Sequence, residues 1–285
     1  MPLLPLFVSI LGLLGSLVVI AANVVLIYKT RAQSHDMILF YYRFHFDVLF
    51  GVATVAYLLH LDSFYLLPTI FDASREMVLW LGLVSSNLNM ARILFAVFIS
   101  CDRVAAAFFP ISYRVHRSHI PTVPFLIFSL TVSLLQNYVM FVVCQYQVYV
   151  PPKCLAFGCA INSCFQSIWT IYQTTVLATT FVLSIMFCVK LFLWSKSTKK
   201  LSQANRLAIL DAVTTFIFQF IPPICVNVWP NLILFNYQLA GPFNLVGKIV
   251  GSTIEAVLVL RVLRKRTENK TSVVEAMSKI SSRMS

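Results

Sequence analysis

Charge is scarce in this chain: Asp and Glu number 10 and Lys and Arg 22 among 285 residues, 11% in all. A soluble domain carries about a quarter charged residues, so a water-covered surface is under-supplied here. With 59% hydrophobic residues and a mean hydropathy of +0.83, the chain reads as a membrane protein. The alternating pattern of a membrane β-barrel is also missing, which leaves helices as the spanning element. No segment between apolar runs has room for a soluble domain. That excludes catalysis by an appended module, and no enzymatic activity is expected. No internal repeat relates the two halves, which argues against a simple duplicated transporter. The first run lacks a basic leader segment, and its positive charges follow it, so it is expected to be a retained signal-anchor span.

What the chain has is seven apolar runs, at roughly 3–28, 37–59, 77–101, 124–144, 167–194, 207–229 and 239–262. Each approaches or exceeds the roughly 20 residues that a helix needs to cross a hydrocarbon core. The expected fold is an all-α membrane protein, a seven-transmembrane helix bundle over 1–262, followed by a basic tail over 263–285. Fifteen Lys and Arg fall in the segments on one side of these runs, against Arg75 and Lys153 on the other. By the positive-inside rule the N-terminus is expected outside and the tail in the cytoplasm. Topology thus accounts for most of the net charge of +12, and no nucleic-acid partner is expected.

Cys154, Cys159 and Cys164 cluster in the longest outside segment, with Cys144 at its membrane edge. Four such cysteines allow three disulfide pairings, and the sequence does not choose among them. The even spacing also resembles a metal site weakly; disulfides are the preferred reading, and no metal or cofactor is expected. Cys101, Cys188 and Cys225 lie within spans and are expected to be apolar packing residues.

Four ionisable residues fall near mid-bilayer: Asp47 in the second run, Arg92 in the third, and Lys248 and Glu255 in the seventh. A charge costs about 2.5–3.5 kcal/mol at the centre of a spanning helix unless satisfied, so all four are expected to face the bundle interior. Two acids balance two bases, and two readings stay open. One is a structural ion-pair network joining spans two, three and seven. The other is a switch in which Asp47 changes partners, with Asn23 of the first run a candidate, while Lys248 contacts a ligand. Arg43, Lys190 and Asp211 lie nearer the inner interface, where the longer side chains are expected to snorkel. Pro222-Pro223 interrupts the sixth run. Proline removes an amide donor and clashes with the preceding turn, so a kink is expected there, either static or working as a hinge. Phe216, Phe218 and Phe220 are expected to pack or face lipid.

Asp102-Arg103 stands where the third run ends and a basic loop begins, with Pro110 and Tyr113 following at +8 and +11 from the acid. This arrangement resembles the Asp-Arg-Tyr motif of rhodopsin-like G-protein-coupled receptors, with Val104 in place of the tyrosine. Asn205-Arg-Leu-Ala-Ile-Leu-Asp211-Ala opens the sixth run, and Phe220-Ile-Pro-Pro follows within it. The seventh carries Gly241-Pro-Phe-Asn-Leu-Val-Gly-Lys248 and later Ile254-Glu-Ala. Over nearly its whole length the chain resembles the nematode serpentine chemoreceptors, most closely class bc.

The resemblance implies a G-protein-coupled chemosensory receptor that binds an odorant-like small molecule outside and a heterotrimeric G protein inside. It assigns Asp102 to restraining Arg103 at rest, Arg103 to the G-protein pocket, and Pro110 and Tyr113 to shaping the next loop. It places the protein in the plasma membrane, in a sensory neuron cilium. Arg114, Arg117, Lys199, Lys200 and Arg206 would meet acidic G-protein or lipid surfaces, or simply hold their loops inside. Oligomerisation stays open. Two departures mark divergence from rhodopsin-like receptors: span seven lacks Asn-Pro-x-x-Tyr, and the outer end of span three, near Val78, has no cysteine. A small transporter or ion-conducting protein using the intramembrane charges is the alternative function.

Overall fold

The computed structural model describes residues 3–30, 37–117, 121–152, 154–195, 203–222 and 242–262. Lys199, Lys200, Pro223, Cys225 and the tail 263–285 lie outside them. Regular structure among the described residues is helical, with no strand. The helices are α1 (Leu3–Thr30), α2 (Ile38–Leu66), α3 (Pro68–Ala73), α4 (Met77–Phe108), α5 (Pro110–His116), α6 (Val123–Tyr138), α7 (Ser163–Ser195) and α8 (Gln203–Thr215). A final helix, α9, spans 243–262. Two carry a wide π-helical turn at one end: α6 continues through Val139–Val143, and α8 through Phe216–Phe220.

Among the described residues, four segments are long and apolar enough to cross a membrane by length and composition: Leu4–Thr30, Ile38–Leu66, Val123–Val143 and Ser163–Lys190. Between these, α4 is the central strut. Its 32 residues span about 48 Å at the α-helical rise, and it packs against α2, α6, α7 and α8. Proline marks several entries. Pro68 and Pro110 each stand at the first position of a short helix, where a missing amide hydrogen leaves no bond unmade. Asn162 caps α7, its side-chain oxygen accepting the Phe165 amide at 3.0 Å.

Small residues let α1 sit close to its neighbours. A Cβ at Gly12 would come within 2.7 Å of Val246 and 2.8 Å of Leu58, and one at Gly15 within 2.8 Å of Ile249. On α2, Gly51 receives Ile20 in the same way. Close backbone approach of this kind supplies dispersion contact where lipid offers no hydrophobic drive between helices. Polar pairs add to it: Thr54 with Ser85 at 3.3 Å, Ser86 with Gln136 at 3.3 Å, and Asn87 with Asn137 at 3.0 Å, all tying α4 to α2 or α6.

Among the described residues the apolar core has two large clusters along the bundle and a small third one, Met90, Ile93 and Leu177, between α4 and α7. One large cluster, with Phe44, Phe46, Phe95 and Ile99, lies toward the Asp102 end. The other, with Tyr57, Leu79, Met140 and Phe165, lies toward the cysteines. Asp102-Arg103 falls inside α4, which runs on to Phe108, rather than at a helix end. Without a proline or glycine between Asp102 and Phe108, nothing in the local sequence stops the helix before Pro110.

Candidate functional site

Three polar sites lie along α4. At the cysteine end, a cavity of about 100 Å³ opens between α2, α4, α7, α9 and the segment joining α6 to α7. That segment is stapled by disulfides Cys144–Cys164 and Cys154–Cys159. Among the described residues no cluster of His, Cys, Asp and Glu could hold a metal ion. The Tyr146 hydroxyl lies against the carbonyls of Tyr149 and Ala160, and Asn162 Nδ2 donates to Cys144 O at 3.1 Å. Burial raises the Tyr146 phenol above its ordinary value, against a smaller lowering by the Tyr149 backbone amide, which donates to its oxygen at 3.4 Å.

Within this stapled loop, Phe157 reaches the cavity together with Ala156, Gly158 and Ile161. The Phe157 backbone amide donates to the Tyr57 hydroxyl at 2.7 Å. Its ring lies over Gly82, where a Cβ would come within 2.5 Å of it. Phe50, Tyr57, Phe157 and Trp169 supply aromatic walls, with Ser85, Asn89 and Lys248 among the polar lining. Lys248 is 5% exposed, and its Nζ lies 5.2 Å from the centre of the Trp169 ring.

Below the cavity runs a layer of buried charge. Arg92 Nε pairs with Asp47 Oδ1, Arg92 Nη2 donates to Ser252 Oγ at 2.9 Å, and the guanidinium lies 4.9 Å from the centre of the Phe50 ring. Arg43 pairs with both carboxylate oxygens of Glu255 at 3.0 Å. Arg43 is 1% exposed, so the expectation that it snorkels to the interface is corrected. A carboxylate across the bundle on α9 is a nearer partner than water. Lys190 lies over an aromatic face, Nζ 5.2 Å from the centre of the Phe108 ring.

That correction changes the charge balance. Of the four residues expected to balance one another, Asp47 and Arg92 meet directly, Glu255 turns to Arg43, and Lys248 meets neither acid. Asn23 stays on its own helix, Nδ2 donating to Val19 O at 2.9 Å, away from any exchange with Asp47. The missed residue had a visible signal. Arg43 and Asp47 stand four apart on α2, and Lys248, Ser252 and Glu255 stand at i, i+4 and i+7 on α9, so each set shares a helix face.

At the other end of α4, Asp102 gathers three partners. It pairs with Arg103 Nη2 at 2.6 Å and Arg117 Nε at 2.8 Å, and accepts the Tyr113 hydroxyl at 3.0 Å. Arg103 and Arg117 are buried. Pro110 opens α5 and so turns Tyr113 and Arg117 back toward the acid. Burial raises the Tyr113 phenol above its ordinary value. Arg103 opposes that rise, while the charge and hydrogen bond of Asp102 add to it.

The model of one family, serpentine type 7TM GPCR chemoreceptor Srbc, matches residues 1–267. The chain belongs to the Srbc family of serpentine chemoreceptors. It is therefore a membrane protein of a receptor family rather than of an enzyme family. No curated protein matches it in sequence.

In this Srbc chemoreceptor, Pro222 lies in the helical turn after the π-helical stretch Phe216–Phe220. Phe216 stacks on Phe181 with ring centres 4.3 Å apart, and Phe220 lies 6.0 Å from the same ring. Cys188 is half-buried, while Cys101 is exposed on the outer face of α4, which corrects its expected place in the packing.

Proposed function

We propose that this chemoreceptor transmits the binding of an external small molecule to a heterotrimeric G protein. The observation that carries the proposal is the course of α4. Gly82, Ser85 and Asn89 line the cavity, Arg92 follows one turn below, and Asp102-Arg103 stand at the far end. Phe50 joins the first two levels, because its ring lines the cavity and also covers the Arg92 guanidinium. A ligand resting on Phe50 favours one packing of the Asp47–Arg92–Ser252 group over another, and α4 carries that preference about 15 Å from Arg92 to Asp102 at the α-helical rise.

In this reading the cysteine end faces outside and the Asp102 end the cytoplasm, as the uneven distribution of Lys and Arg suggests. The Asp102 cluster represents the resting state, and release of Arg103 opens the G-protein pocket. Pro222, beside the π-helical turn of α8, is the proposed hinge for the inner half of that helix. The receptor would reside in the plasma membrane, in the cilium of a sensory neuron.

Arg103→Ala tests this. In nanodiscs with a purified Gα subunit it should abolish ligand-dependent nucleotide exchange while the receptor stays folded and reaches the cell surface. Unchanged exchange in the variant removes Arg103 from coupling. Solute flux through the wild-type protein, with no effect on any Gα subunit, would favour a transporter instead.

A further inference from the structure

In the buried layer of Arg43, Asp47, Arg92, Lys248 and Glu255, three cations face two acids. Asp47 serves Arg92, Glu255 serves Arg43, and Lys248 stands seven residues before Glu255 with its Nζ at the cavity. No acidic residue lines that cavity. Among the described residues Lys248 meets only the Trp169 ring. The stretch 223–241, which leads into α9, contains no Asp or Glu. A lysine ammonium removed from water keeps its charge at low cost only beside an anion.

The surrounding groups add donors, beside two buried unpartnered acceptors, Asn89 Oδ1 and Asn244 Oδ1. Tyr57 accepts the Phe157 amide and so retains its own hydroxyl proton to give. The Asn89 side chain is 2% exposed, and neither its nitrogen nor its oxygen has a hydrogen-bond partner. Trp169 Nε1 is buried without a partner too. A bound inorganic anion would call for several cations converging on it; here one cation sits among Phe50, Phe157 and Trp169. The lining fits a molecule with one anionic end and an apolar or aromatic body.

We propose that the cavity takes a small carboxylic acid, with its carboxylate on Lys248 and its apolar body between Phe50, Phe157 and Trp169. This rests on the receptor reading for its consequence, though not for its chemistry. Lys248 is then a specificity residue, and the stapled loop bearing Phe157 closes over the acid.

The test uses the full chain in nanodiscs and a panel of short-chain, branched and aromatic monocarboxylates, benzoate among them, each matched with its primary amide. At least one acid should raise the unfolding temperature where its amide does not, and Lys248→Met should weaken that acid at least tenfold. Without ligand, Lys248→Met should unfold at or above the wild-type temperature, because it removes a buried cation that has no anion. Amides that match their acids throughout, or a ligand-free Lys248→Met variant that is markedly less stable, would overturn the assignment. Nucleotide exchange on Gα separates the two readings. Acids that bind through Lys248 without affecting exchange leave the ligand class standing and sink the coupling. Exchange driven by amides alone does the reverse.

Discussion

Asp47 and Arg92 offer the sharpest energetic test of the charged layer. Arg92 is 1% exposed, and without Asp47 it keeps only Ser252 Oγ at 2.9 Å and the Phe50 ring at 4.9 Å. Neither is a counter-charge. Removing one partner of a buried ion pair costs about 3–5 kcal/mol, and an unsatisfied charge within a spanning helix costs about 2.5–3.5 kcal/mol. The ranges meet near 3 kcal/mol, which we take for Asp47→Leu and for Arg92→Met. At about 2–4 °C per kcal/mol, each single variant should unfold roughly 6–12 °C below wild type. The double variant should recover most of this loss, because hydrophobic replacement of a whole buried pair is often neutral or stabilising. The exposed pair Arg75–Asp72 serves as control, and Asp72→Asn should cost under about 1 kcal/mol. The assay is thermal unfolding of the purified receptor followed by tryptophan fluorescence. Single losses that simply add in the double variant would refute the coupling, as would an Asp47→Leu variant no weaker than the Asp72→Asn control.

Two further predictions concern the ends of α4. Gly82→Ala places a methyl group within 2.5 Å of the Phe157 ring, which the Cys154–Cys159 loop and Tyr57 hold in place, so it should cost about 1–3 kcal/mol by overpacking. Adding Phe157→Ala should remove the clash; a double variant that shows no relief in thermal unfolding would mean that the ring does not press on Gly82. Tyr113→Phe deletes the 3.0 Å hydrogen bond to Asp102 and should cost about 1 kcal/mol near neutral pH. Because the folded phenol sits above its ordinary value of 10.0, its contribution is present below pH 10 and lost as pH rises through the folded value. The stability gap between wild type and Tyr113→Phe should therefore narrow under alkali, and a gap that widens contradicts that sign.

The helical membrane fold was legible because it rests on composition and run length, which bilayer thickness constrains directly. The clustered cysteines and the Asp102-Arg103 pair were legible for a related reason, since local spacing already points to their chemistry. The partner of Glu255 was not. Arg43 lies 212 residues away along the chain, and a long side chain near a membrane interface has two ways to satisfy its charge. Only the packing of α2 against α9 decides between them. The hold of Phe157 on Gly82 was hidden likewise, because a glycine that receives a ring from a distant loop looks like any other small residue in an apolar run. The extension of α4 past Asp102 was within reach, as no breaker stands before Pro110.

The proposed hinge fits an asymmetry in how the bundle is held. On the α1, α2 and α9 side, Gly12, Gly15 and Gly51 bring helices to distances that admit no Cβ, and Arg43–Glu255 bridges α2 to α9. Moving any of these helices breaks close dispersion contact and a buried ion pair together. Between α7 and α8 the contact is flat stacking of Phe181 on Phe216 and Phe220, and α8 is pinned to α9 at its π-helical turn, where Phe218 fills the space that a Cβ at Gly251 would need. Stacked rings can slide with little loss, since offset arrangements differ little in energy. The π-helical turn in α8 already departs from regular helical bonding, and Pro222 cannot donate to restore it. Both features lower the cost of bending α8 relative to α1 or α9. Arg92 and Asp102 lie on α4, which packs against both sides. In the proposed coupling, a rearrangement at Phe50 and Arg92 would displace α4 toward the stacked α7–α8 contact, with Phe218 over Gly251 as the pivot of α8. In that proposal the displacement would open the G-protein pocket beside Arg103.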